Sequence, residues 1–248
     1  MDSDLVNNQY SLSIRIFSDG FSLCVYDEKH TIISRKNIKS EQGNDFAEFL
    51  RNMLATNEEI RQKYKDIVII CESGYHTIIP DVFHKTESER EFLKLQHPSL
   101  PVSFQTFHNK ISNQQSILIF GLEQSITQLL ALHFQQVIPE SHLVNIINRI
   151  IIDGNDKIAI WIRPEEIDCI VYKDHKIILL NKYSYQSSED ITYHILNIHQ
   201  QLELNPNDII SEVFSDANLL TEKLLIKYIP KLVIKSKQTA HEDYQWEI

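Results

Sequence analysis

A run of three strand-like segments, a helix and a further strand occurs twice in this chain, and that repetition restricts its fold more than any other feature. In the first half Tyr10 to Phe17 alternates apolar and polar residues as a half-buried strand does. Asp19-Gly20 follows as a tight-turn signal, then the strand-like runs Phe21 to Tyr26 and Thr31 to Arg35. Phe46, Phe49, Leu50, Met53, Leu54 and Ile60 recur mostly at helical spacing and give one apolar face. Ile67 to Cys71 is a short apolar run of the kind buried on both faces of a parallel sheet.

The second half repeats that order. Lys157 to Ile162, Ile167 to Tyr172 and Ile177 to Leu180 read as strands. Ser187 to Asp190 opens a helix whose apolar face is Ile191, Ile195, Leu196 and Leu202. Ile209 to Phe214, Leu219 to Tyr228 and Leu232 to Ile234 follow as strand, helix and strand. Tyr26 recurs as Tyr172, and the same offset of 146 pairs Ile14 with Ile160, Ile16 with Ile162, Val25 with Val171, Ile32 with Ile178, Lys36 with Lys182 and Leu50 with Leu196. Repetition on this scale means a duplicated domain, since solenoid repeats run to about 20–50 residues.

Between the halves lies added material. Glu72 to Ser116 contains Tyr75 to Pro80, a helical stretch from about Glu87 to Gln96 and a strand-like Phe104 to His108, and reads as an inserted subdomain. Ile117 to Phe120 (strand), Leu122 to Phe134 (helix), a strand ending near Pro139-Glu140 and Ser141 to Ile151 (helix) lead to the turn Asp153 to Asp156. The expected organisation is a first domain over 8–140 with its insertion at about 72–116, a second over 141–236, and a tail over 237–248 that carries Tyr244 and Trp246.

Composition narrows the function classes. Only five glycines occur, where average usage near 7% would give roughly seventeen. Enzymes that hold phosphate on the backbone need glycine where the chain approaches the ligand closely. A net charge of −10 disfavours nucleic acid as a partner. No apolar run approaches the roughly 20 residues that cross a bilayer, and Met1-Asp2-Ser3-Asp4 lacks a secretion-signal profile. Cys24, Cys71 and Cys169 are widely spaced within apolar runs, so they read as buried reduced thiols and point to the cytoplasm.

Two repeats of three strands, helix and strand, with an insertion after the fourth strand of the first, resemble the actin-like ATPase superfamily. Ile78 to Pro80 with the acidic helix after it, and Ser116 to Ile151, resemble the corresponding stretches of the bacterial cell-division and type IV pilus members. Tyr10 to Tyr26 and Glu72 to Phe83 also resemble a bacterial family of unknown function assigned this fold. The resemblance covers roughly residues 8 to 236. It implies an α/β chain of actin-like (ribonuclease H-like) fold, two duplicated domains of three strands, helix and strand with a subdomain inserted in the first.

The same resemblance implies nucleotide held between two β-hairpins, each beginning with a strand that ends in Asp, any residue, Gly and a small residue. In this chain Trp161 and Arg163 stand where the second half of that family has Asp and Gly, and Arg15 and Phe17 stand at the matching offset in the first. With a shifted register Asp19-Gly20 would stand in, although Gly directly after Asp suits a tight turn better. The glycine pair that touches adenosine in the family is replaced by Asp216-Ala217-Asn218-Leu219. No Gly-x-x-x-x-Gly-Lys-Ser/Thr or Gly-x-Gly-x-x-Gly motif occurs.

Other chemistries have no better footing. His194 and His199 are five apart and do not share a helix face. Glu165-Glu166 reads as a solvated turn, and Ser73-Gly74 lacks the hydrolase elbow. The reading is a catalytically degenerate actin-like protein that binds another protein or serves as a scaffold, with no catalytic residue, metal or cofactor assigned. The alternative is a divergent nucleotide- or metabolite-binding protein with weak ATPase activity that uses the interdomain cleft, with Arg15, Asp19 and Arg163 of the hairpins as its cofactor-binding residues and Arg15 or Arg163 contacting an anion. A filament-forming protein is a third class that one sequence leaves open.

Overall fold

The computed structural model describes residues 9–17, 20–40, 45–112, 114–135, 137–163, 165–215 and 219–236. Asp19, Asp216 to Asn218 and the tail at 237–248 therefore lie outside the described residues. The described chain divides into two compact units: one holds residues up to Lys110 and Ser116–Val144, the other Ile111–Gln115 and the chain from Asn145 onward.

In the first unit the chain runs β1 (Ser11–Phe17), β2 (Gly20–Tyr26), β3 (Ile32–Lys39), α1 (Phe46–Thr56) and β4 (Asp66–Cys71). Then come β5 (His76–Pro80), α2 (Glu89–Gln96), β6 (Phe104–Ile111), β7 (Ser116–Glu123), α3 (Gln124–His133) and the short β8 (Glu140–Ser141); α4 (His142–Asp153) begins in this unit and, from Asn145, belongs to the second. One sheet has the order β3-β2-β1-β4-β8, and a three-stranded sheet has the order β5-β7-β6. β7, placed beyond the insertion by the sequence, lies between the two inserted strands, because Ser116 to Phe120 pairs antiparallel with His76 to Pro80. It also runs three residues further than its apolar core suggested, through Leu122, which is buried.

Alternation explains the first core. Leu12, Ile14 and Ile16 of β1 and Phe21, Leu23 and Val25 of β2 all point to the face that α1 covers with Leu50 and Leu54. Asp45 caps α1, its carboxylate accepting the N–H of Ala47 at 2.8 Å. Phe49 of α1 meets Phe21 edge to face at 6.1 Å.

The second unit runs β9 (Lys157–Arg163), β10 (Glu166–Lys173), β11 (Lys176–Ser184), α5 (Ser188–Gln201), β12 (Ile210–Ser215), α6 (Leu219–Tyr228) and β13 (Leu232–Ser236). Its sheet order, β11-β10-β9-β12-β13, reproduces that of the first unit strand for strand. Ile158 and Ile160 of β9 and Ile167, Cys169 and Val171 of β10 pack under Ile191, Ile195 and Ile198 of α5. Ser187 and Asp190 close a capping box at the start of that helix.

The duplication reaches the pairing register. Ile14 lies opposite Leu23 and Ile69, and Ile160 lies opposite Cys169 and Val213. Even the irregularity between Val25 and Tyr26 recurs between Val171 and Tyr172. The offset of 146 nevertheless drifts. Five residues separate the paired Tyr26 and Ile32, and four separate Tyr172 and Ile177. The first connection is a wider turn in which Asp27 accepts the N–H groups of Lys29 and Thr31. The second is tighter, with Asp174 and His175 both in the left-handed region, as a two-residue hairpin turn requires. Leu23 consequently faces Lys36 while Cys169 faces Asn181, so the sequence identities Ile32–Ile178 and Lys36–Lys182 fall one residue out of structural register. The four identities in the first two strands of each half are the ones that are equivalent.

Candidate functional site

The hairpin β1–β2 brings Phe17 opposite Gly20. A β-carbon on Gly20 would come within 2.4 Å of the carbonyl oxygen of Ile38 and 2.9 Å of the ring of Phe17. The glycine is thus required by close packing of the protein against itself. Gly20→Ala is expected to lower stability by about 1–3 kcal/mol through overpacking, read as a lower urea midpoint at unchanged slope.

Arg15 points to the sheet face opposite the α1 core. Its guanidinium donates to the carboxylate of Glu72, and the two side chains are 5% and 4% exposed. Glu72 follows β4 directly and extends the parallel ladder, its N–H donating to the carbonyl of Ile16 at 2.8 Å.

In the hairpin β9–β10 the guanidinium of Arg163 grips Asp168 in a two-pronged pair, Nε to Oδ2 at 2.7 Å and Nη2 to Oδ1 at 2.8 Å. Asp168 is fully buried and Arg163 nearly so. A second carboxylate, Glu166, lies 2.9 Å from Nη1 and is itself 2.6 Å from Lys182. The hydroxyl of Tyr185 donates to the carbonyl of Arg163 at 2.7 Å. Burial drives the neighbouring Cys169 thiol well above its usual range, with the charge of Asp168 adding to the effect. Trp161, where the actin-like pattern has Asp, is buried and stacked on Phe214 at 5.6 Å. Both arginines singled out by the sequence are thus tied to buried carboxylates within their own units, and Asp19 lies outside the described residues.

Sequence reading missed one cluster in the inserted subdomain. His84 follows the 3-10 turn Asp81–Phe83, Glu89 opens α2 after a second such turn (Thr86–Ser88), and His108 projects from β6. Nε2 of His84 and Nδ1 of His108 lie 2.9 Å and 2.7 Å from the same oxygen of Glu89, and the two rings are 4.4 Å apart. Arg90, the next residue of α2, donates to the carbonyls of Phe104 and Pro101 at 2.7 Å each and ties the helix to the start of β6. That tie sets Glu89 against His108. Nineteen positions separate these two in sequence, and their spacing matches no ligand motif, so only the tertiary pairing reveals them.

No curated protein matches the sequence. Among solved structures, a Bacteroides thetaiotaomicron protein with actin-like ATPase fold and unknown function is similar at a TM-score of 0.83 and 21% identity, covering 99% of this chain and 100% of that one. The PilM–PilN type IV pilus biogenesis complex follows at 0.54 and 11% identity, covering 96% and 92%. The ethanolamine utilization protein EutJ from Carboxydothermus hydrogenoformans gives 0.50 and 10%, covering 91% and 84%. These likenesses establish the actin-like fold. Among the described residues no helix is long and apolar enough to cross a membrane. Residues 3–232 match the family described as Protein of unknown function (DUF3822), and the chain belongs to that family.

Proposed function

We propose that this chain is an actin-like protein that has lost nucleotide chemistry and works as a binding module or scaffold for another protein. The observation that carries this reading is the content of the second hairpin. Where the nucleotide-binding pattern of the fold has Asp and Gly, this chain has a buried, stacked Trp161 and an Arg163 whose charge is engaged by Asp168. A phosphate cradle needs backbone N–H groups brought close by small residues, and these side chains serve the protein's own packing instead. The pilus complex that shares the fold pairs PilM with PilN, which supports a protein as the class of partner.

The alternative makes Arg15, Asp19 and Arg163 cofactor-binding residues, with Arg15 or Arg163 contacting an anion. It asks each guanidinium to exchange a buried carboxylate for the ligand, at a desolvation cost that the ligand must offset. Thermal unfolding with and without Mg²⁺ and ATP, ADP or GTP separates the readings. At a hundred-fold excess over Kd, binding adds about 2.7 kcal/mol, a shift of several degrees for a chain of this size. No shift is expected. A shift of several degrees that Arg15→Ala or Arg163→Ala abolishes would overturn the scaffold reading.

A further inference from the structure

We infer that His84, Glu89 and His108 form a binding site for one divalent transition-metal ion, zinc by preference, in the inserted subdomain. The assignment is independent of the scaffold reading and rests on three observations.

The first is convergence. Three potential ligand atoms, two imidazole nitrogens and one carboxylate oxygen, lie within 4.8 Å of one another. They come from three separate segments: the connection just after a 3-10 turn, a helix start and a strand. A tetrahedral zinc shell with bonds near 2.0–2.1 Å places its ligand atoms about 3.3 Å apart. The nitrogen-to-oxygen separations of 2.9 and 2.7 Å fall short of that by about half an ångström, a small opening for an ion to make.

The second is the state of the carboxylate. The Glu89 side chain is 2% exposed, and both imidazoles address one of its oxygens. A buried carboxylate needs positive charge or strong donors beside it. In the metal-free form imidazole N–H groups supply that need. A divalent ion meets it more fully, because it replaces the shared protons and bonds all three groups at once.

The third is access combined with rigidity. His108 is 42% exposed and His84 16%, so an ion has a path to the site and a water has room to complete its coordination. Glu89 is held from behind through Arg90 and its two carbonyl partners. The flanking charges, Asp81 and Lys110, lie 3.9 Å apart and offset one another, so they add no net repulsion toward a cation. The donor set of two imidazoles and one carboxylate suits zinc among common cellular ions and disfavours magnesium and calcium, which favour oxygen ligands throughout.

Isothermal titration of the full chain, stripped with EDTA and dialysed, with zinc chloride tests the assignment. One equivalent is expected to bind, and His108→Ala and His84→Ala are each expected to weaken binding at least tenfold, since even groups behind the ligands account for 10–100-fold in known sites. Because Glu89 is buried, Glu89→Gln is read only beside the melting temperature of its metal-free form. His108→Ala, altering a half-exposed side chain, is the variant that decides the matter. Cobalt(II) added to the parent should give visible absorption that His108→Ala loses. Failure of the parent to bind zinc stoichiometrically, or equal binding by His108→Ala, would overturn the site.

Discussion

Asp168→Ala is expected to cost about 3–5 kcal/mol, because it removes one member of a buried ion pair and keeps the other. The carboxylate is fully buried and takes two hydrogen bonds of 2.7 and 2.8 Å from a guanidinium that is itself buried. In the variant, Arg163 keeps Glu166 at 2.9 Å on one edge, but that carboxylate is one-quarter exposed and already shared with Lys182. A cost of this size consumes a large share of the 5–15 kcal/mol typical of a folded domain. Urea unfolding of parent and variant measures it directly. The paired replacement Arg163→Met with Asp168→Leu separates two causes of loss. An apolar pair of similar volume is expected to recover most of the stability, which would show that the single variant suffers from a stranded charge and not from lost volume. A cost below about 1 kcal/mol for Asp168→Ala would mean that water reaches the pair.

The fold was legible in the sequence because its information is local. Leu12, Ile14 and Ile16 announce their strand by alternation, and the same alternation returns at Ile158, Ile160 and Ile162. Two features were harder to read. The drift of the repeat from 146 arises in a turn one residue shorter in the second half, and a fixed-offset comparison cannot absorb that. β7 carried a clear apolar signal, yet its partner β5 lies 36 residues or more away along the chain, so its sheet could not be assigned from pattern alone. The site residues divide in the same way. Arg15 and Arg163 were found by their place in the repeat, but their carboxylate partners were not. Glu72 is 57 positions from Arg15 and carries no local mark, and Asp168, five from Arg163, reads as an ordinary polar residue in a strand. His84, Glu89 and His108 escaped entirely. A histidine has no periodicity of its own, and the three meet only through tertiary structure, in which Arg90 ties α2 to the start of β6.

Glu72→Ala is the counterpart in the first half, and it bears on function as well as stability. Its carboxylate is 4% exposed and receives Arg15 from the neighbouring strand, so its loss is expected to cost about 3–5 kcal/mol, as for a buried pair. Glu72→Gln, which keeps the shape and one acceptor, should lose less than Glu72→Ala. The same variant probes the anion reading. With Glu72 removed, a ligand phosphate no longer competes with that carboxylate for Arg15, so a latent nucleotide site should reveal itself as stabilisation of Glu72→Ala by Mg²⁺–ATP beyond that of the parent. The scaffold reading expects the two unfolding curves of Glu72→Ala, with and without nucleotide, to coincide. If ATP restores the lost stability, Arg15 is an anion-binding residue held in check by its own carboxylate. If it does not, the Arg15–Glu72 pair serves packing alone, as the stacked Trp161 does in the other half.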